Sequence, residues 1–301
     1  MYTRSIAVCG ATGQQGGATV QALLKKKLGG DIIAISRNPN SDKAKALARQ
    51  GIRVLKADLL DKESLVAAFK KATMVFGVTQ PFSDGFRKSS ASAEVTQGKN
   101  IIDACLKAGV EYLVQSTVFN PGTNAFGVPH LDSKTAITTY LKNSGLAYAI
   151  LKPASFMDNI GTSFFSVKKG RIRGFTDGNA KLPYISVKDI GEFASKIFEN
   201  PAMYRKRELD LVADFVSGDE LAQILTKIRD GQRFAYTAIP RPLMWIFARE
   251  FYRMRKAFEK SGRPPFPASI DAAIRKCNEM NPRVLTMERY LLMRKFDSMT
   301  L

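Results

Sequence analysis

Short apolar runs recur along the first half of the chain, each separated from the next by a segment with helical periodicity. "SIAVCG" (5–10), "DIIAIS" (31–36), "IRVLKA" (52–57), "TMVFGV" (73–78), "YLVQST" (112–117) and "AYAILK" (147–152) are nearly continuous in hydrophobic residues. That pattern is expected of strands covered on both faces in a parallel sheet. Between them, residues 14–28, 42–50, 62–71, 88–108 and 133–143 place apolar side chains at helical spacing. Gly29, Gly51, Gly109 and Gly145 follow the last turns, where a left-handed residue commonly ends a helix. Alternating strands and helices at this spacing predict an α/β fold, a Rossmann-type doubly wound parallel sheet with right-handed crossovers.

After residue 153 the alternation loosens. The sequence predicts a helix over 186–200, a strand over 207–214 and a helix over 217–228. "RPLMWIFAREFYRMRKAFEK" (241–260) reads as one basic amphipathic helix, with Leu243, Phe247, Phe251, Met254 and Phe258 on its apolar stripe. Arg249, Arg253, Arg255, Lys256 and Lys260 place positive charge elsewhere on it. The stripe is read as packing inward, with docking on an anionic membrane or a partner as the alternative. "GRPPFP" (262–267) breaks this helix, and two more helices close the chain. The expected organisation is a Rossmann domain over 1–153 and a smaller C-terminal α+β lobe over 154–301. The lobe is expected to form a substrate or partner cleft and to contribute in part to the main sheet.

Composition narrows the classes. An apolar fraction of 45% over 301 residues suits a globular chain with a substantial core. Cys9, Cys105 and Cys277 are widely spaced and odd in number, which argues for a reducing compartment rather than a disulfide framework. One histidine cannot supply a histidine-rich metal cluster. The N-terminus enters a strand at once, and no apolar run reaches the eighteen or so residues of a membrane span. These features predict a cytoplasmic protein, with the nucleus as a second location. The net charge of +19 is spread: residues 1–150 carry 19 basic and 10 acidic side chains, residues 151–301 carry 27 and 17. Such a field favours anionic ligands and leaves nucleic acid as a weaker alternative.

The first strand–helix junction reads "GATGQQGG". Gly10, Gly13 and Gly16 form G-x-x-G-x-x-G, suited to a tight turn, close approach of backbone to a pyrophosphate, and close packing of the helix on the sheet. The helix N-terminus then offers N–H groups to the phosphates. Thr12, Gln14 and Gln15 complete this phosphate loop. An NAD site places an acid at the end of the second strand, for the ribose 2′-hydroxyl. Here Arg37 stands there, suited to fork around a 2′-phosphate, so the cofactor read is NADP(H). A solvated surface arginine would look the same in sequence.

The glycine spacing resembles the atypical short-chain dehydrogenase/reductases, and "VCGATGQQGG" resembles their NmrA-like branch of regulators and redox sensors. The resemblance runs from residue 5 to about 200. It implies that Asp58 and the backbone at Leu59, after the third strand, contact adenine; Asp58 could equally be a turn residue. It places Val78 and Thr79 along the cofactor ribose, and Pro153, Ala154, Ser155, Phe156 and Asn159 beside the nicotinamide. In short-chain dehydrogenases a serine follows the fifth strand, and a Tyr-x-x-x-Lys motif supplies the proton donor and the ribose-binding lysine. Here Ser116 stands at the serine position, and "HLDSK" puts His130 where the tyrosine would be, four residues before Lys134. At that spacing the two side chains share a helix face. His130, Lys134 and Ser116 are therefore the candidate catalytic residues.

Replacing a phenol by an imidazole predicts an NADP(H)-binding redox sensor or regulator with weak dehydrogenase chemistry, acting on a regulatory protein partner. The alternative is an NADPH-dependent oxidoreductase taking a small-molecule substrate, a quinone or carbonyl compound. A histidine that merely packs at a helix start remains open.

Overall fold

The computed structural model describes residues 4–28, 30–81, 90–120, 127–162, 165–229, 232–261 and 266–294. All six runs form strands: β1 (Ile6–Val8), β2 (Ile32–Ser36), β3 (Arg53–Lys56), β4 (Met74–Gly77), β5 (Tyr112–Ser116) and β6 (Tyr148–Pro153). Between them lie α1 (Gln14–Lys26), α2 (Asp42–Arg49), α3 (Lys62–Phe69), α4 (Ala91–Ala108) and α5 (Pro129–Lys142). The large sheet has the order β11-β6-β5-β4-β1-β2-β3, where β11 is Arg207–Leu211. The pairs from β3 through β6 are all parallel. The chain turns back on itself between β1 and β4. In a doubly wound sheet the crevice beyond the C-terminal strand ends at that reversal is where ligands bind.

The helices begin where the sequence supplies caps. Ser41, Asp61 and Ser90 accept backbone N–H bonds at the starts of α2, α3 and α4. Gly109 (φ +73°) caps α4 in the left-handed region, and Gly51 (φ +81°) and Gly145 (φ +78°) follow α2 and α5. At the end of α1 the left-handed residue is Lys27 (φ +49°), not the expected Gly29, which lies outside the described residues. So do residues 88 and 89 of the expected fourth helix. The fifth helix begins one turn earlier than its pattern suggested, with Pro129 as its first residue, where a missing N–H costs nothing.

The chain packs as two compact units. One comprises residues 1–118, 129–152 and 187–209; the other comprises 119–128, 153–186 and 210–301. The first unit therefore takes back α6 (Val187–Glu199) from beyond residue 153. A Cβ on Gly191 would lie 2.4 Å from the carbonyl oxygen of Ala18, so α6 crosses α1 at backbone contact.

The second unit holds two three-stranded sheets. One has the order β12-β10-β7, from β7 (Ser155–Phe156), β10 (Leu182–Ile185) and β12 (Asp214–Val216). The other has the order β13-β9-β8, from β8 (Ser166–Lys168), β9 (Arg171–Gly174) and β13 (Ala235–Ala238). Its helices are α7 (Gly218–Ile228), α8 (Arg241–Phe247), α9 (Arg249–Ser261), α10 (Phe266–Met280) and α11 (Met287–Met293). The expected single helix over 241–260 is thus two, broken at Ala248 (φ −148°, ψ 55°). The break changes the buried face. Leu243 is 48% exposed, whereas Met244 is buried. Arg255 is buried as well, bonded to Asp177 and to the carbonyl of Ile239 at 3.1 Å. The side chains of Phe247 and Phe258, and the breaker at 262–265, lie outside the described residues.

Candidate functional site

The glycine loop is built as its spacing requires. Gly10 has φ +60°, a conformation that favours glycine. A Cβ on Gly16 would lie 2.2 Å from the Gly10 carbonyl oxygen, so only glycine lets α1 sit this close to the strand end. Gly13 is exposed and is the N-cap of α1, with ordinary extended backbone (φ −93°, ψ −176°). Unlike α2, α3 and α4, α1 has no side-chain cap and no acid in its first turn. Its first-turn N–H groups have no intrahelical acceptors, and the helix dipole adds partial positive charge there. This cradle fits an anionic diphosphate. Of the other loop residues, Gln14 is exposed and Thr12 and Gln15 are half-buried.

At the end of β2, Arg37 is exposed, and no described residue bonds to its guanidinium. After β3, Asp58 takes a turn role: its carboxylate accepts the Leu60 N–H at 2.9 Å, and its own N–H donates to the Ser64 hydroxyl at 3.0 Å. The neighbouring Leu59 carbonyl accepts from the Asn100 amide at 2.9 Å. Val78, half-buried after β4, would lie 3.1 Å from a Cβ on Gly10. The two switch-point loops therefore touch.

Lys134 is held from two sides. Its Nζ donates to the Thr79 hydroxyl at 2.6 Å and pairs with the Glu94 carboxylate at 2.6 Å. Thr79 in turn donates to the same Glu94 oxygen at 2.7 Å, and Ser133 donates to the other. Glu94 is fully buried. The four residues come from α4, α5 and the loop after β4. His130 is buried one turn before Lys134 on the same helix, and its carbonyl accepts from Ser133 at 3.1 Å. Ser116 is also fully buried, at the end of β5. Its hydroxyl donates to Gln15 of the glycine loop at 2.6 Å.

Glu94 was not among the residues singled out from the sequence. Its signal was a charge on a hydrophobic stripe: Glu94 shares the buried face of α4 with Gly98, Ile101, Ile102 and Cys105, which recur at helical spacing. Pro153, Ala154, Ser155, Phe156 and Asn159, expected beside the nicotinamide, belong to the second unit. There Pro153 and Ala154 are buried, Ser155 and Phe156 form β7 and pair with β10, and the Asn159 carbonyl accepts from Thr162 at 2.7 Å. Asp189 is buried in the first turn of α6. Among the described residues no group of three or more His, Cys, Asp or Glu could hold a metal, and no helix is long and apolar enough to cross a membrane.

The thiols of Cys9 and Cys105 are buried, and burial raises both, Cys9 to about 12. Burial thus disfavours the reactive thiolate form at both.

A sequence profile of the NmrA-like family matches residues 2–291. The chain belongs to the NmrA-like family. One relative is the NmrA-like family domain-containing oxidoreductase notA of Aspergillus sp. (strain MF297-2). It is 30% identical over 258 residues, 78% of this chain and 76% of that protein. Among solved structures, the NADPH-dependent quinone oxidoreductase QOR2 of Escherichia coli, complexed with NADPH, matches with a TM-score of 0.75 at 22% identity. The match covers 96% of this chain and 99% of that one. A double mutant of NmrA matches with a TM-score of 0.76 at 18% identity, over 96% and 94%. At these identities the two structures establish the shared fold. In this NmrA-like chain, the glycine loop, Arg37, Thr79, Lys134, Ser116 and Gln15 all lie in the first unit, at or next to the C-terminal ends of its strands.

Proposed function

We propose that this chain binds NADP(H) beyond the C-terminal ends of β1, β2 and β4, and reports cofactor state as a regulator with little carbonyl reductase chemistry of its own. The observation that carries the cofactor reading is the uncapped, glycine-walled start of α1 beside an arginine, at the end of β2, that has no partner among the described residues. The first suits a diphosphate and the second a 2′-phosphate. Lys134 is suited to a ribose hydroxyl. The buried cysteines favour a reducing compartment, the cytosol, over an oxidising one.

A bound NADPH would supply a hydride. The chain must then supply a proton to a developing alkoxide, and His130 offers an imidazole where related enzymes offer a phenol. That substitution supports the regulator reading. A second reading is favoured by the likeness to an NADPH-dependent quinone oxidoreductase. Quinone reduction asks less of an acid at the first step, so an imidazole there is no bar to it. A nucleic-acid-binding role finds no support in the family match.

A steady-state screen of NADPH oxidation with ketones, aldehydes and quinones separates the readings. The regulator reading predicts turnover well below about 1 s⁻¹, the lower end of ordinary enzymes, and NADPH affinity nearly unchanged in His130→Ala. Faster turnover with any of these acceptors that collapses in His130→Ala would replace it by the reductase reading.

A further inference from the structure

Among the described residues the carboxylate of Glu94 is the one buried acid bonded to Lys134, and stability alone does not account for it. Withdrawing a carboxylate and an ammonium from water costs several kcal/mol per ion, and an apolar pair of like volume often serves the fold as well or better. Nor is Glu94 needed to fasten the loop after β4. Gln97, one turn along α4, already holds that loop through both backbone groups of Gln80, accepting its N–H at 2.8 Å and donating to its carbonyl at 3.3 Å. What Glu94 does uniquely is gather the polar groups around Lys134. One oxygen takes the Lys134 ammonium and the Thr79 hydroxyl, and the other takes Ser133 on the same helix as the lysine. The Thr79 hydroxyl donates to Glu94 and so turns a lone pair toward Lys134. Two of the three ammonium hydrogens are thereby assigned, and one remains for a ligand.

We propose that Glu94 is a positioning residue of the cofactor site, holding the Lys134 ammonium in place so that its remaining N–H meets the nicotinamide-side ribose. The proposal rests on the NADP(H) reading above. It acts at one end of the ligand only, because Arg37 and the glycine loop serve the other end and have no bond to Glu94.

Calorimetric titration of wild type and Glu94→Gln with NADPH and with adenosine 2′,5′-bisphosphate, which lacks the nicotinamide ribose, tests it. Loss of a hydrogen bond to a charged group predicts NADPH affinity reduced about tenfold or more in Glu94→Gln, with bisphosphate affinity unchanged. In a Lys134→Met background, Glu94→Gln should add no further loss. Glu94→Asp, which keeps the charge but draws it back by one methylene, should fall between the two. It carries the test if the glutamine variant does not fold. A wild-type ratio of the two affinities in the folded variants overturns the proposal. So does equal weakening of both ligands, the signature of a structural role. If wild type binds neither ligand, the cofactor reading falls first and this inference with it; if it binds both and the ratio does not move, only this inference fails.

Discussion

Gly13 and Gly16 stand three residues apart and carry different constraints. Gly16 faces the Gly10 carbonyl, and Gly16→Ala should destabilise the fold by roughly 1–3 kcal/mol, as overpacking does. Chemical denaturation would show it. Gly13 is exposed, and a Cβ there would lie 3.2 Å from the same carbonyl, a contact a small shift relieves. Gly13→Val should therefore fold with near-native stability and lose NADPH binding, because its side chain stands in the diphosphate cradle. Retained tight binding would show that the loop is not the phosphate site. The buried ion pair gives a second residue-scale outcome. Lys134→Ala leaves the Glu94 carboxylate buried without its cation, which should cost about 3–5 kcal/mol. Adding Glu94→Gln to it should recover part of that loss. Additive losses in the double variant would mean that the two side chains are not coupled.

Most strands of the first unit were legible because they are covered on both faces, although β3 has no buried position. β1, β4 and β5 are buried at every position, so hydrophobicity alone marks them. The strands of the second unit were not. β9 reads "RIRG" with alternate residues exposed, and β13 reads "AYTA" with no buried position. Runs that short and polar carry no periodic signal. The break at Ala248 was equally silent, since neither Gly nor Pro marks it, and it shifts the inward-facing position from Leu243 to Met244. At the site, the glycine loop and the His130–Lys134 spacing were visible as motifs, whereas Glu94 needed the fold to bring α4 against α5. The return of α6 to the first unit depends on Gly191 lying against Ala18. Gly191→Val should lower the midpoint of thermal unfolding, and an unchanged midpoint would show that the α1–α6 crossing can open at little cost.

Across the whole molecule, the charge is a diffuse field and the thiols are sealed. Cys9, Cys105 and Cys277 are each at most 1% exposed, so a thiol-alkylating reagent at neutral pH should label none of them until denaturant is added. Rapid native labelling would contradict the buried geometry and reopen a cysteine-based redox role. The proposed regulatory role therefore rests on the cofactor. The most direct measurement is calorimetric titration of the wild-type chain with NADPH and with NADH, repeated for Arg37→Ala. The account predicts NADPH binding at least tenfold tighter than NADH, about 1.4 kcal/mol or more, and loss of that preference in the variant. Equal affinities in the wild type, or an unchanged preference without Arg37, would contradict it.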